Sequence, residues 1–521
     1  MTSPKNNGVC IRHSELPGAS RLFVDYLYDY PRVAAWYEHD PSDFANLRRA
    51  AEAVEYPQER RAALVEALRE INGESEALQR LAQPGTVAIL TGQQVGLYGG
   101  PAYTLYKGLT AIHTARELTA AGIEAVPVFW LATEDHDVEE VRSALFFEGA
   151  VEAQAAPDER PAGLHTLAGL PQDLPLGPLG GEAAALAQRH YQNGATFGSA
   201  FLGFLRELLA PYGLLFADPL SPALRQLGAP LLAAAAQQAA ELSPLLAERN
   251  AELEARGYHA QVHFEPEQTS LFFLLREGKR QAWKFDGKRF HAGQESYSPE
   301  EFARFGPALS PNALLRPVWQ DWMFPTAALV GGPGELAYFA QSEVLYKRLL
   351  GRMPVMLPRA FFTVADANSA SLAQRYRLPY SALLRSEADV ELALSQRLIP
   401  PPLLESLDDA ERRINRAFGD LEANLAAFDP TLVAAAKKSQ DKIRYQFAKN
   451  KRKIVAEVFR KSEQAQRHAE HLSHRLAPGG HLQERSYSLA AMLGEFGMDF
   501  PQFILDNIHS GCHDHHVLVL G

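Results

Sequence analysis

The stretch Thr86-Val-Ala-Ile-Leu-Thr-Gly-Gln-Gln-Val-Gly-Leu-Tyr-Gly-Gly-Pro-Ala-Tyr103, followed after a helical run by Pro127-Val-Phe-Trp-Leu-Ala-Thr-Glu-Asp-His-Asp137, decides how this chain folds. Residues 87–90 form a short apolar run that stops at Thr91-Gly92, as a buried parallel strand does where it meets a loop at its carboxyl end. Gly92, Gly96, Gly99 and Gly100 follow closely. Lacking a Cβ, they let the backbone turn sharply and approach a ligand. Pro101 suits the first position of a helix predicted over residues 103–121. Residues 126–131 supply a second apolar strand. The unit therefore reads strand, loop, helix, strand, and both strands deliver their polar ends to one edge.

That edge carries Gln93, Gln94, Glu134, Asp135, His136 and Asp137. Ionisable side chains in succession after so apolar a strand would be costly if buried unpaired, so they are expected to line a polar crevice. Imidazoles titrate near neutrality, which makes His136 the candidate general base, with Glu134, Asp135 and Asp137 orienting it or holding an ammonium group. Thr91, Gly92, Gln93, Gln94 and Tyr103 are the candidate binding residues of this turn. Amide side chains both donate and accept hydrogen bonds.

The pattern recurs once. Residues 326–331 are an apolar strand ending in Gly332-Pro-Gly334, after which Glu335 opens a helix, and Arg316-Pro-Val-Trp-Gln320 lies just upstream. Arg316, Gln320, Gly332, Gly334 and Glu335 complete the candidate binding set, with Arg316 able to grip a carboxylate bidentately. Lys107 is expected only to decorate its helix. Residues 213–218 repeat the design of a short strand ending in a carboxylate, which places Asp218 on the same edge.

Between these segments, 44–81 has the spacing of two helices, 149–182 reads as an irregular insertion, and 272–291 as an antiparallel meander turning at Glu277-Gly278 and Asp286-Gly287. From about residue 403, apolar residues recur three and four apart up to Leu476, interrupted at Asp429-Pro430. Two long helices joined at that proline make an antiparallel hairpin, because Pro430 cannot sit inside a helix. Its second helix bears Lys437, Lys438, Lys442, Arg444, Lys449, Lys451, Arg452, Lys453, Arg460 and Lys461 against Asp441 and Glu457 alone. That is a solvated face or a phosphate-binding surface, with Lys449 and Lys453 the i,i+4 pair placed to contact a nucleotide.

At 521 residues the chain exceeds a single core. The division expected is 1–140 and 141–312 for an N-terminal arm, sheet and insertions, 313–390 for a return to the sheet, 391–478 for the hairpin and 479–521 for a closing segment. Hydrophobic content of 46% with 22% charged residues is ordinary for a globular protein, and a net charge of −11 argues against nucleic acid as the main partner. Cys10 and Cys512 are the only cysteines, which excludes a disulfide framework. A polar N-terminus and the lack of a long apolar run point to a cytoplasmic protein with no membrane contact. His509, Cys512, His513, Asp514, His515 and His516 crowd the C-terminus. Adjacent residues of an extended chain point opposite ways and cannot all ligate, so residues 517–520 are expected as a tail strand and no metal site is assigned.

Residues 91–104 and 127–137, with Arg316-Pro-Val-Trp-Gln320 and Gly331-Gly-Pro-Gly-Glu-Leu-Ala-Tyr338, resemble the BshC family of bacillithiol biosynthesis over essentially the whole chain. The resemblance implies a Rossmann-like core of the nucleotidyltransferase type with connecting-peptide insertions. It further implies a C-terminal coiled coil that forms a homodimer, and a ligase that adds L-cysteine to glucosaminyl-malate; joining a carboxylate to an amine needs an activated acyl group, for which a nucleotide-type core offers adenylation as one route, so ATP or ADP is the candidate cofactor. Adenylate-forming relatives of this core type carry a His-x-Gly-His element after the first strand, and Gly92-Gln-Gln-Val-Gly96 stands there instead. A nucleotide is therefore expected in the core or beside the basic helix. The residues alone also suit a non-catalytic metabolite-binding or scaffold protein, or a nucleotidyltransferase unrelated to thiols.

Overall fold

The computed structural model describes residues 8–155 and 158–520. Its centre is a five-stranded parallel sheet in the order Val355–Pro358, Thr326–Gly331, Val87–Gln93, Ala125–Leu131, Leu215–Ala217. Every residue of Ala125–Leu131 is buried, because helices cover both faces and leave no side of the strand for water. Numbered along the chain, the order is 5-4-1-2-3. The direction of winding thus reverses between Val87–Gln93 and Thr326–Gly331, and the crevice outside the carboxyl ends of those two strands is where such sheets bind ligands.

The first strand runs further than its apolar run implies. It continues through Thr91, Gly92 and Gln93, which pair with Phe129, Trp130 and Leu131. Gly92 is obligatory there, since a Cβ would lie 2.8 Å from the Trp130 carbonyl oxygen. The turn that follows is left-handed at Tyr98, Gly99 and Gly100, with φ of 52°, 86° and 65°. Pro101 does not open the helix as expected. It bridges to Ser488, the Ala102 N–H donates to the Tyr487 carbonyl, and the helix Tyr103–Ala120 begins afterwards.

The 44–81 region forms three helices rather than two, Phe44–Glu52, Gln58–Asn72 and Glu76–Leu81, with Pro57 and the positive φ of Gly73 separating them. The expected meander is part of a five-stranded antiparallel sheet, in the order Glu295–Tyr297, Phe290–Ala292, Lys279–Phe285, Phe272–Arg276, Leu309–Pro311. It is inserted between the third and fourth strands of the parallel sheet and turns at Glu277-Gly278 and Gly287, where φ is positive. The tail strand forms as expected. His515–Leu520 lies between Phe361–Asp366, parallel, and Val9–Ile11, antiparallel.

The hairpin consists of Pro401–Phe428 and Val433–Arg460 and ends sooner than the apolar spacing suggests. The Ser462 hydroxyl caps a new helix, Glu463–Leu476, whose Ala465, Ala469, Leu472 and Leu476 are buried. Ala469, Leu472 and Leu476 share a core with Leu372 and Leu394. No residue of Pro401–Phe428 is buried, and on Val433–Arg460 only Ala436 and Val455 are. Among the described residues, no helix is long and apolar enough to cross a membrane.

Candidate active site

A cavity of about 360 Å³ opens at the reversal point of the parallel sheet. Thr91 closes its floor, where its hydroxyl donates to the Val330 carbonyl at 3.0 Å and ties the two diverging strands together. Eleven of the sequence-derived candidates line this cavity, eight of them Thr91, Gly92, Gln93, Gln94, Tyr103, Asp135, Arg316 and Gln320. Gly332, Gly334 and Glu335 join them from the second glycine turn.

Lys107 is a cavity residue that local pattern conceals. The helix Tyr103–Ala120 turns it inward, where its ammonium donates to the Gly92 carbonyl at 2.8 Å and the Gln93 amide oxygen at 3.0 Å. It pairs with Glu335 at 2.5 Å. Burial lowers its pKa, although the Glu335 carboxylate works in the opposite sense. Glu335 also accepts the Gly332 N–H at 2.8 Å. This carboxylate occupies the positive N-terminal end of the helix Pro333–Leu349, where an outside anion would otherwise dock.

The acidic cluster divides in three. Asp135 faces the cavity and takes the Gln94 side-chain amide at 3.3 Å, while Gln94 also donates to Glu140 at 2.7 Å. Burial on its own raises the Asp135 pKa, but the guanidiniums of Arg316 and Arg280 outweigh it and hold the carboxyl below its ordinary range. For Arg316, burial opposes the charge, yet Tyr338 and Asp135 prevail and its pKa is raised. The pair therefore persists as carboxylate and guanidinium.

Glu134 departs from the expectation of a crevice residue. It is 1% exposed, pairs with Arg225 at 3.4 Å and accepts the Ser310 hydroxyl at 2.9 Å. The inserted antiparallel sheet reaches down to it through Ser310, so it anchors that sheet instead of facing the cavity. Asp137 accepts the Glu140 N–H at 3.2 Å and caps the short helix Val138–Val141. His136, expected as the general base, is not among the residues that line the cavity, and its side chain is 56% exposed. Its Nδ1 accepts from Arg280 at 3.2 Å, since a guanidinium only donates, and the neutral ring then carries its proton on Nε2. In this arrangement His136 offers a donor, and a role as proton acceptor requires Arg280 to let go. Asp218 accepts the Thr133 hydroxyl, and burial raises its pKa.

Two further cations face the cavity from late in the chain, Arg359 and Arg485. Arg359 makes a bidentate pair with Glu484 at 2.6 and 2.9 Å, with the two side chains 2% and 0% exposed. Its guanidinium lies 5.2 Å from the Tyr103 ring and that of Arg485 5.7 Å, so one aromatic side chain underlies both. The cavity thus brings together Lys107, Arg316, Arg359 and Arg485 with Asp135, Glu140 and Glu335. None of its lining residues comes from the hairpin, and Lys449 and Lys453 are exposed on the hairpin's second helix.

Comparison with known proteins agrees across both halves. Residues 9–360 match the family model described as the N-terminal Rossmann-like domain of bacillithiol biosynthesis BshC, and residues 362–520 its C-terminal coiled-coil domain. A protein of Solibacter usitatus named "Putative cysteine ligase BshC" is 44% identical, over 98% of this chain and 99% of its own length. Proteins of the same name from Koribacter versatilis and Salinibacter ruber are 33% and 30% identical, covering 98% and 91% of the chain and 99% and 92% of their own lengths.

Proposed function

The chain belongs to the BshC family of bacillithiol biosynthesis, and from that premise we propose that its crevice joins the carboxyl group of L-cysteine to the amine of glucosaminyl-malate, forming an amide in the last step of the pathway. The observation that carries this reading is the mixture of fixed charges. Arg316 and Arg485 suit the carboxylates of a malyl group, beside the resident Lys107–Glu335 and Arg359–Glu484 pairs, and Asp135 and Glu140 suit an ammonium or amine. Holding both reactants in one cavity converts a bimolecular step into a local one, the largest contribution positioning alone can make.

An amide forms in water only from an activated carboxyl. The donor set does not fit a triphosphate at the helix N-terminus, because the Glu335 carboxylate already occupies it. The crevice is therefore not proposed to hold ATP. The exposed Lys449 and Lys453 stand as the proposed nucleotide contacts. Calorimetry with ATP and ADP across a salt series tests them, since binding by exposed cations weakens as salt rises, and a Lys449→Ala, Lys453→Ala variant that binds as the parent does removes the proposal.

The hairpin is proposed to pair two copies of the chain. Leu421, Phe428, Leu432, Ile443 and Tyr445 are exposed along it, Phe428 to 83%. Sedimentation of the full chain should give a dimer at micromolar concentration.

The direct test of the reaction is incubation of purified protein with glucosaminyl-malate, L-cysteine and ATP, with mass spectrometry of the products. Formation of the cysteinyl amide supports the ligase. Saturable binding of glucosaminyl-malate without turnover identifies a metabolite-binding protein instead.

A further inference from the structure

The two cysteines of this chain, at opposite ends of the sequence, meet in space. Cys10 lies on the strand Val9–Ile11, directly opposite His516 in the antiparallel register. Its Sγ is 3.6 Å from His516 Nδ1, and Cys512 Sγ is 3.2 Å from His516 Nε2. One ligand atom from each of the three residues can be chosen so that all lie within 4.8 Å of one another. In tetrahedral zinc coordination, bonds of about 2.0–2.3 Å set neighbouring sulfur and nitrogen ligands about 3.5–3.8 Å apart. An imidazole ligates through one nitrogen, so converting the one arrangement into the other takes side-chain shifts of up to about 1 Å together with a turn of the His516 ring.

We propose that Cys10, Cys512 and His516 bind a thiophilic divalent cation, Zn²⁺ by its chemistry, that clasps the two ends of the folded chain together. The tail alone could not build this site, because its neighbouring residues alternate in direction. The structure takes only two of them, four residues apart, and draws the third ligand from the N-terminal strand. Two thiolates and one imidazole are a soft donor set that favours zinc over magnesium or calcium. The thiols release their two protons to solvent as the ion binds, and water completes the fourth position. Cys10 is exposed, which gives the ion a way in. Asp514 accepts the Tyr28 hydroxyl at 2.7 Å and so fixes the loop between Cys512 and His516.

Such a site binds the folded chain and not the unfolded one, so the cation stabilises by mass action. It borders the cavity lined by His509, Cys512 and His513, which shares Arg359 with the crevice. The clasp thus holds the tail strand beside Phe361–Asp366, the strand that follows Arg359.

The test uses the full chain, reduced and stripped with a chelator, then titrated with Co²⁺ and afterwards with Zn²⁺. The expected result is one equivalent of Co²⁺ with a thiolate charge-transfer band and tetrahedral visible bands, erased by one equivalent of Zn²⁺. Zinc should also raise the melting temperature and shield two thiols per chain from alkylation. Cys10→Ser and Cys512→Ser should each abolish the charge-transfer signature at saturation or weaken it to about half, while melting as the metal-free parent does. Absence of the band in the reduced parent overturns the proposal. So does undiminished zinc uptake by the double variant, or a thiol count of zero in the denatured, unreduced protein, which would mean a disulfide.

Discussion

Replacing Glu484 with Gln tests whether the crevice is built on a buried ion pair. The substitution keeps the side chain's volume and leaves an amide oxygen able to accept the Phe362 N–H, which Glu484 now takes at 3.0 Å. What it removes is the charge facing Arg359, and it aims an amide NH₂ at a group that can only donate. Both partners are almost wholly buried, so water cannot replace the lost carboxylate. An uncompensated buried charge of this kind costs about 3–5 kcal/mol. A unit of roughly 350 residues unfolds with an entropy of about 0.7 kcal/mol/K, so the melting temperature should drop by about 4–7 °C. Differential scanning calorimetry measures it. The double variant Glu484→Gln, Arg359→Met removes the stranded charge and should recover most of the loss, because an apolar replacement of a whole buried pair is often neutral. A single variant melting within about 1 °C of the parent, or a double variant worse than the single one, would refute the reasoning.

The other expectations concern the strand end, the acidic loop and pH. Gly92→Ala puts a methyl 2.8 Å from the Trp130 carbonyl oxygen; it should destabilise the protein by about 1–3 kcal/mol in denaturant titration and lower amide formation. Asp135→Asn should reduce product formation by about 10²-fold, whereas His136→Ala should cost less than about tenfold, because its exposed ring does not line the cavity and its Nδ1 is already engaged; the reverse order in steady-state assays would return the central role to His136. Burial, outweighing Arg352, raises the Asp321 pKa from 3.8 to about 6. The folded chain then holds this proton more tightly than the unfolded one, so the contribution is complete below about pH 4 and lost as pH rises through 6. Melts from pH 4.5 to 8 should show Asp321→Asn declining less than the parent by a difference of about 2 kcal/mol.

The parallel strands and the reversal point were legible because apolar runs ending in glycine and polar residues carry their own punctuation. Val87–Gln93, Ala125–Leu131 and Thr326–Gly331 all answer to that pattern. The tail strand was legible for the same reason. The fate of four consecutive polar residues was not, because it depends on what packs over them. Glu134 is sealed by Arg225 and Ser310, which belong to a helix and an inserted sheet far along the chain. Lys107 was misread from its position in a helix, since the hydrophobic spacing of a helix buried nearly all round does not single out one inward lysine. Arg359, Glu484 and Arg485 had no local signal at all. The hairpin was overextended because Glu463–Leu476 has the spacing of a coiled-coil seam but spends its apolar face on a core near the chain ends.

The distribution of charge in the crevice limits what it can bind. Lys107 and Arg359 each already hold a protein carboxylate, and Arg316 is balanced by Asp135. A small anion entering alone would compete with carboxylates fixed in place and recover little of its own dehydration. A molecule carrying both signs meets a different situation. Its carboxylates can share the outward donors of Arg316 and Arg485 while its ammonium takes the outward oxygens of Asp135 and Glu140, so no resident pair has to break. Because those pairs are held by Gln94, Gln93 and the helix N-terminus before any ligand arrives, the reorganisation cost on binding is small. On the proposed reading this charge pattern disfavours simple dicarboxylates and favours ligands that combine an amine with a carboxylate, a combination found in both an amino-sugar malate and an amino acid.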